Sequence, residues 1–287
     1  VSPTRLALVA VLGLLCGACV ADNVVRERRV PAGHEGFFET WWNDQQVREI
    51  GHYQQGLRHG EVVLYHPSGM VESAGNYERG LPVGEIRYYA RTGELRLIED
   101  VHDGVLHGRR EEFDELGQLR RRVVFRAGRR HGLEQILFAN GSLASEGAWT
   151  DDLPVGRWLH RDADGRLLSA ETYWVAQGRL VGYLETTHHP ETGSVTTQSL
   201  KTLRDDVWHG WRTRWHANGV QAGLEEYVND LREGRDVSWD LQGRKVGEGR
   251  RMGDLRTGNW RFWDASGGLL EELRYVQGEL VEGGSSG

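Results

Sequence analysis

The sequence predicts an all-β protein, an elongated single-layer antiparallel meander of about ten β-hairpins in tandem. Three observations carry that expectation. Gly60, Gly84, Gly108, Gly132 and Gly156 open copies at a fixed interval of 24 residues, and Gly36 opens one before them. A second glycine follows nine residues into each copy, at Gly69, Gly93, Gly117, Gly141 and Gly165. Around these glycines run short stretches rich in β-branched and aromatic side chains, the composition of strands.

Each copy reads as a hairpin. Ser68-Gly69, Thr92-Gly93 and Asn140-Gly141 supply the positive φ of a tight turn. A third glycine, at Gly56, Gly80, Gly104, Gly128 or Gly178, precedes the next copy, and with Pro82 and Pro154 it predicts a second, looser turn. Three side-chain stripes share the period. Trp41, Tyr65, Tyr89, Phe113, Trp215, Trp239 and Trp263 stand five places after the opening glycine. Val47, Val71, Leu95, Leu119, Leu143, Leu167 and Leu269 stand eleven after it, and Tyr53, Tyr77, Phe125, Trp149, Tyr173, Tyr227 and Tyr275 seventeen after it. Equivalent positions in successive hairpins align across a sheet, so the stripes are expected to form ladders, and packing is the ordinary explanation for most of the eleven tryptophans.

The string Gly60 to Gly69, followed by Glu72, Tyr77 and Gly80, resembles the MORN-variant repeat, a bacterial relative of the membrane occupation and recognition nexus motif. The resemblance extends from Gly36 to about Gly283. It departs at Gln45, which replaces a turn glycine, at Arg161, which replaces an aromatic residue, and in the stretched copy from Gly182. It implies a non-catalytic repeat protein, and relatives described as antitoxin or immunity components imply a toxin as a second kind of partner. Direct phospholipid binding is a third implication.

Composition agrees with a wetted ribbon. The 287 residues are 38% hydrophobic with a mean hydropathy of −0.56, thin for a thick core, and the 39 glycines are turn punctuation. A net charge of −7 and a pI near 6.0 argue against nucleic acid as a partner. The arginines at 120, 121, 122, 126, 129 and 130 read as a solvated strand face.

The first residues have the order of an export signal. Arg5 precedes the apolar run Leu6 to Leu15, too short to span a bilayer, and Cys16, Gly17, Ala18 and Cys19 follow. Gly17-Ala18-Cys19 resembles a bacterial lipoprotein signal with Cys19 as the lipidated residue; cleavage after Ala21 by an ordinary signal peptidase is the alternative. The expected organisation is therefore a signal over 1–18, a polar tether over 19–35, the repeat array over 36–282 and a flexible tail over 283–287. The expected location is the bacterial envelope, lipid-anchored, with the outer membrane favoured over the inner. Both cysteines lie in the signal region, so no disulfide is expected in the mature chain.

Catalytic signatures are missing from the sequence: it has no Gly-x-Ser-x-Gly, phosphate loop, dinucleotide fingerprint or His-Glu-x-x-His. His59, His107, His131 and His209 share one slot of the repeat and are expected two strands apart, roughly 9 to 10 Å, too far to share one zinc ion. No metal, cofactor or enzymatic activity is therefore expected. The favoured role is a scaffold binding a protein or envelope polymer along its sheet face. Candidate contacts are Trp208, Trp211, Trp215, Trp239 and Trp263, with His188 and His189 in the insertion of the copy from Gly182. Trp211 and Trp215 are four apart, so on one strand they share a face.

Overall fold

The computed structural model describes residues 29–204 and 207–285, and the side chains of all of these except 203, 204, 207, 208, 284 and 285. Among the described residues there are 21 strands and no helix. From β1 (Gly36–Asn43) and β2 (Gln46–Gln54) to β20 (Leu269–Val276) and β21 (Glu279–Ser285), each strand pairs antiparallel with the one before it. The chain thus walks across a single continuous sheet. Apart from a brief approach of β11 (Leu153–Arg161) to β13 (Arg179–His188), no strand packs substantially on any but its immediate neighbours. At ~4.8 Å per strand the sheet measures roughly 100 Å along its path. The strand β21 continues to Ser285, so it includes residues that composition alone assigns to a tail.

The two kinds of turn are the reverse of the expectation. Between β4 (Val71–Glu78) and β5 (Leu81–Tyr89) only Arg79 and Gly80 intervene, with φ of 48° and 84°, the two positive angles of a type I′ hairpin turn. The same pair of positive angles recurs from Gln55-Gly56 to Gln277-Gly278, and Asp151-Asp152 and Asn229-Asp230 achieve it without glycine because Asp and Asn tolerate the left-handed region. The turn at Gly69 is the longer one. His66 N–H donates to Met70 O and Gly69 N–H to His66 O, closing a loop whose last turn residue is glycine at φ 87°. Sequence composition marks both as turns; it does not say which one matches the right-handed twist of the strands.

The opening glycines also sit elsewhere than expected. Gly60 lies inside β3 (Leu57–Tyr65), not at its start, and Gly84 lies inside β5 at φ 73°. Across β4 and β5 the pairing jumps from Ala74↔Arg87 to Asn76↔Val83, so a β-bulge occupies this place and Gly84 supplies its left-handed residue. The period therefore counts bulges.

Both turn rows link copy to copy. At the type I′ side Gly56 N–H donates to His34 O, Gly80 to Arg58 O, Gly104 to Pro82 O and Gly128 to Leu106 O. The first of these holds residues before the array against the turn between β2 and β3, and the His34 ring packs edge-on to Phe38 at 4.7 Å. At the loop side Trp42 Nε1 donates to Tyr65 O, Asn140 Nδ2 to Ala163 O and Asn218 Nδ2 to Leu241 O, and His66 and His216 bond the carbonyls of Tyr89 and Trp239.

The two irregular copies do not project a loop. Their extra residues lengthen β12 (Leu167–Ala176), β13 and β14 (Val195–Arg204) to ten residues each, and only one is added to the loop from His189 to Ser194. Between β14 and β15 (Val207–Trp215) the register runs without any bulge. The departure at Gln45 has a simple consequence: the first loop shortens to Asp44-Gln45 between the paired Asn43 and Gln46.

Candidate functional site

Strand register assigns every stripe to a face. Gly60 pairs with Tyr77, and Tyr65 lies an odd five residues beyond Gly60, so the tyrosine stripe and the Tyr65 stripe point to opposite sides of the sheet. The first side, here the core face, carries the most deeply buried side chains, Val62, Ile86 and Val123. The other is the far face.

The core face is built from a size match that recurs along the array. Gly75 stands beside Ile86, Gly147 beside Trp158 and Gly249 beside Trp260, so close that an added Cβ would lie 2.2 Å, 1.9 Å and 2.2 Å from the neighbouring side chain. The two tryptophans use the space identically. Trp158 Nε1 donates to Ala148 O and Trp260 Nε1 to Arg250 O, each at 3.1 Å, and both residues are buried. In the copy after Gly75 and Ile86 the equivalent places hold opposite charges instead, Glu99 with Arg110 at 2.9 Å.

Buried carboxylates on this face are paired. Glu49 accepts from Arg58 Nε at 2.5 Å, Arg58 Nη2 at 2.8 Å and the Tyr53 hydroxyl at 2.6 Å. Burial pushes the Glu49 carboxyl up, but the hydrogen bonds from Arg58 and Tyr53 and the Arg58 charge outweigh it and hold the group below the ordinary carboxylate value of 4.5. Burial and the Glu49 hydrogen bond drive the Tyr53 phenol well above its usual range. Glu225 repeats the arrangement with Arg212 at 2.6 Å, and it too lies below 4.5, burial being outweighed by the arginine. The arginine-rich stretch is also mostly engaged: Arg121 with Glu134, Arg122 with Glu111, Arg126 with Asp151 and Arg130 with Asp152.

The sequence-nominated residues gather on the far face. Trp215, Trp239 of β17 (Leu231–Trp239) and Trp263 of β19 (Leu255–Trp263) occupy one row beside the longer loops, all half-buried, and His188 holds the corresponding place in β13. Trp211 shares this face four residues before Trp215, opposite Glu226. His189 begins the loop of its hairpin, where its Nδ1 accepts from Glu191 N–H at 3.3 Å. The side chain of Trp208 lies outside the described residues, as does Cys19 with the rest of 1–28.

Two features of this face were not anticipated. The first lies beside the Trp row. The direct cross-strand partners of Trp41, Tyr65, Tyr89 and Phe113 are Val47, Val71, Leu95 and Leu119, whereas those of Trp215 and Trp239 are Gln221 and Lys245. The signal was present in the aliphatic stripe, which is interrupted at Gln221 and Lys245. The second lies at the type I′ side, where Val228, Leu231, Met252, Leu255 and Val276 are 41–52% exposed and two couples are direct cross-strand partners, Val228↔Leu231 and Met252↔Leu255. In the first copies the equivalent partners of Leu57, Leu81 and Val105 are Gln54, Glu78 and His102.

No three metal-ligating side chains converge among the described residues. An open sheet of tandem hairpins with two unlike faces defines the class as an all-β repeat protein. Residues 58–79, a segment within the repeat array, match the MORN repeat variant family model, and successive hairpins repeat the period of that segment. No curated protein sequence matches the chain. Crystal structures of TcdB2-TccC3-TEV and of TcdB2-TccC3 are similar over 84% of this chain at 12% identity, with TM-scores of 0.23 and 0.22. The chain spans 14% and 15% of their lengths, and likeness at that score carries no argument.

Proposed function

We propose that this chain is a non-enzymatic scaffold of the cell envelope whose far face, over the copies from Gly210 onward, engages a protein or polymer partner. The observation that carries the reading is the pair of exposed apolar couples Val228↔Leu231 and Met252↔Leu255 at successive type I′ turns, with Val276 also exposed in β20. Isolated exposed apolar residues are ordinary, but adjoining ones on a rigid sheet favour an interaction surface. The sequence features that suggest export and lipidation at Cys19 place the ribbon at a membrane surface in this reading, and the core face supplies stiffness.

The reading is tested by crosslinking the full chain in envelope fractions and comparing it with the double variant Met252→Asp, Leu255→Asp. A discrete crosslinked species lost in the variant supports it. Identical crosslinking of both proteins sinks it. For the anchor, labelling with a fatty acid should be abolished by Cys19→Ser, and undiminished labelling of that variant removes this residue from the proposal.

A further inference from the structure

We infer that the row Trp215, Gln221, Trp239, Lys245 and Trp263 is a binding track for an extended β-1,4-linked polysaccharide. This deepens the scaffold reading and rests on it, but uses different side chains from the exposed aliphatic patch. Trp215 pairs directly with Gln221, and Trp239 with Lys245, so indole rings alternate with hydrogen-bonding groups along one line across the sheet. Alternation of that kind fits a sugar chain, whose pyranose faces are apolar and whose rims carry hydroxyls. An aromatic face takes the first, and an amide or ammonium takes the second.

Spacing supports the same ligand. Successive tryptophans in the row are two strands apart, roughly 9 to 10 Å, close to the length of one disaccharide in an extended β-1,4 chain. One ring would therefore meet every second sugar, and always on the same side, because that linkage flips alternate residues. Lys245 Nζ lies over the Trp263 ring, 5.3 Å from its centroid, and donates to Glu248 Oε2 at 2.7 Å, which holds an ammonium donor within the row. The corresponding line in the first copies alternates aromatic with aliphatic residues, with no amide or ammonium between the rings.

The experiment titrates the full chain with cellohexaose and chitohexaose, following tryptophan fluorescence, with α-linked maltohexaose as the comparator. Saturable binding of at least one β-1,4 hexasaccharide is expected. Trp239→Ala and Trp263→Ala should each weaken it about tenfold or more, and Tyr65→Ala should leave it within about twofold. Because a half-buried tryptophan also stabilises its hairpin, the double variant Gln221→Leu, Lys245→Leu provides a second arm: it restores the aliphatic pattern of the first copies and should weaken binding with an unchanged circular dichroism spectrum. Binding of neither β-linked oligomer, equal binding of maltohexaose, or equal loss in Tyr65→Ala overturns the inference. If sugar binding fails while the Met252 and Leu255 double variant still loses its crosslinked partner, the scaffold stands and the track falls.

Discussion

The copies from Gly36 to Gly156 and those from Gly210 onward share a backbone and differ in what their far faces expose. In the first region aromatic residues pair with Val or Leu beside the loops, and Leu57, Leu81 and Val105 are opposed by Gln54, Glu78 and His102 at the type I′ turns. In the second region both rows change character: Gln221 and Lys245 enter the first, and Val228 and Met252 enter the second. The backbone hydrogen bonds are indifferent to this exchange, so a repeat protein can dedicate one stretch to packing and another to contact without altering its register. Core-face devices, by contrast, occur in both regions, as Gly147 with Trp158 and Gly249 with Trp260 show.

That comparison can be broken first at the core face. Trp158→Ala and Trp260→Ala should each cost about 3–5 kcal/mol, the usual result of emptying a buried aromatic site, and Trp239→Ala should cost clearly less because its ring is half-exposed. Denaturant unfolding decides this, and equal losses for Trp239 and Trp260 would erase the distinction between the faces.

Next, Arg58→Ala strands the Glu49 carboxylate, whose side chain is only 6% exposed, and should approach the roughly 3–5 kcal/mol of an unpaired buried charge. The pH dependence has a definite sign. Glu49 and Glu225 lie below 4.5 when folded, so the stability they contribute is present above that pH and is lost as the pH falls through their folded values. Acid titration of the melting temperature should fall less steeply in Glu49→Gln than in the native chain; parallel curves would remove Glu49 as a contributor.

Glycines separate two causes at smaller magnitude. Gly147→Ala meets the Trp158 ring and should cost about 1–3 kcal/mol by overpacking. Gly84→Ala meets nothing within 4 Å and should cost about 1 kcal/mol, from the left-handed backbone alone. Reversal of that order in thermal melts would refute the size-match account. Smallest of all, His66→Ala forfeits one bond to Tyr89 O, worth about 0.5–1.5 kcal/mol.

Period, strand count and antiparallel order were legible in the sequence because glycine marks each place where the backbone turns left-handed. The kind of turn was not, since Arg79-Gly80 and Ser68-Gly69 look alike until twist selects between them. The faces were hidden for a related reason: a bulge at Gly84 alters the parity on which side-chain alternation is counted. Of the nominated contacts, Trp215, Trp239 and Trp263 share a row that their common offset foretold. The buried pairings of Trp158 and Trp260 escaped notice because they depend on a glycine eleven residues earlier, across a turn.

Since each strand leans only on its neighbours, a pull applied between the two ends is borne by every pairing in series. The ribbon yields at its weakest seam, and the remaining hairpins keep their shape while one opens. Such a ribbon is expected to lengthen in steps under tension, one hairpin at a time.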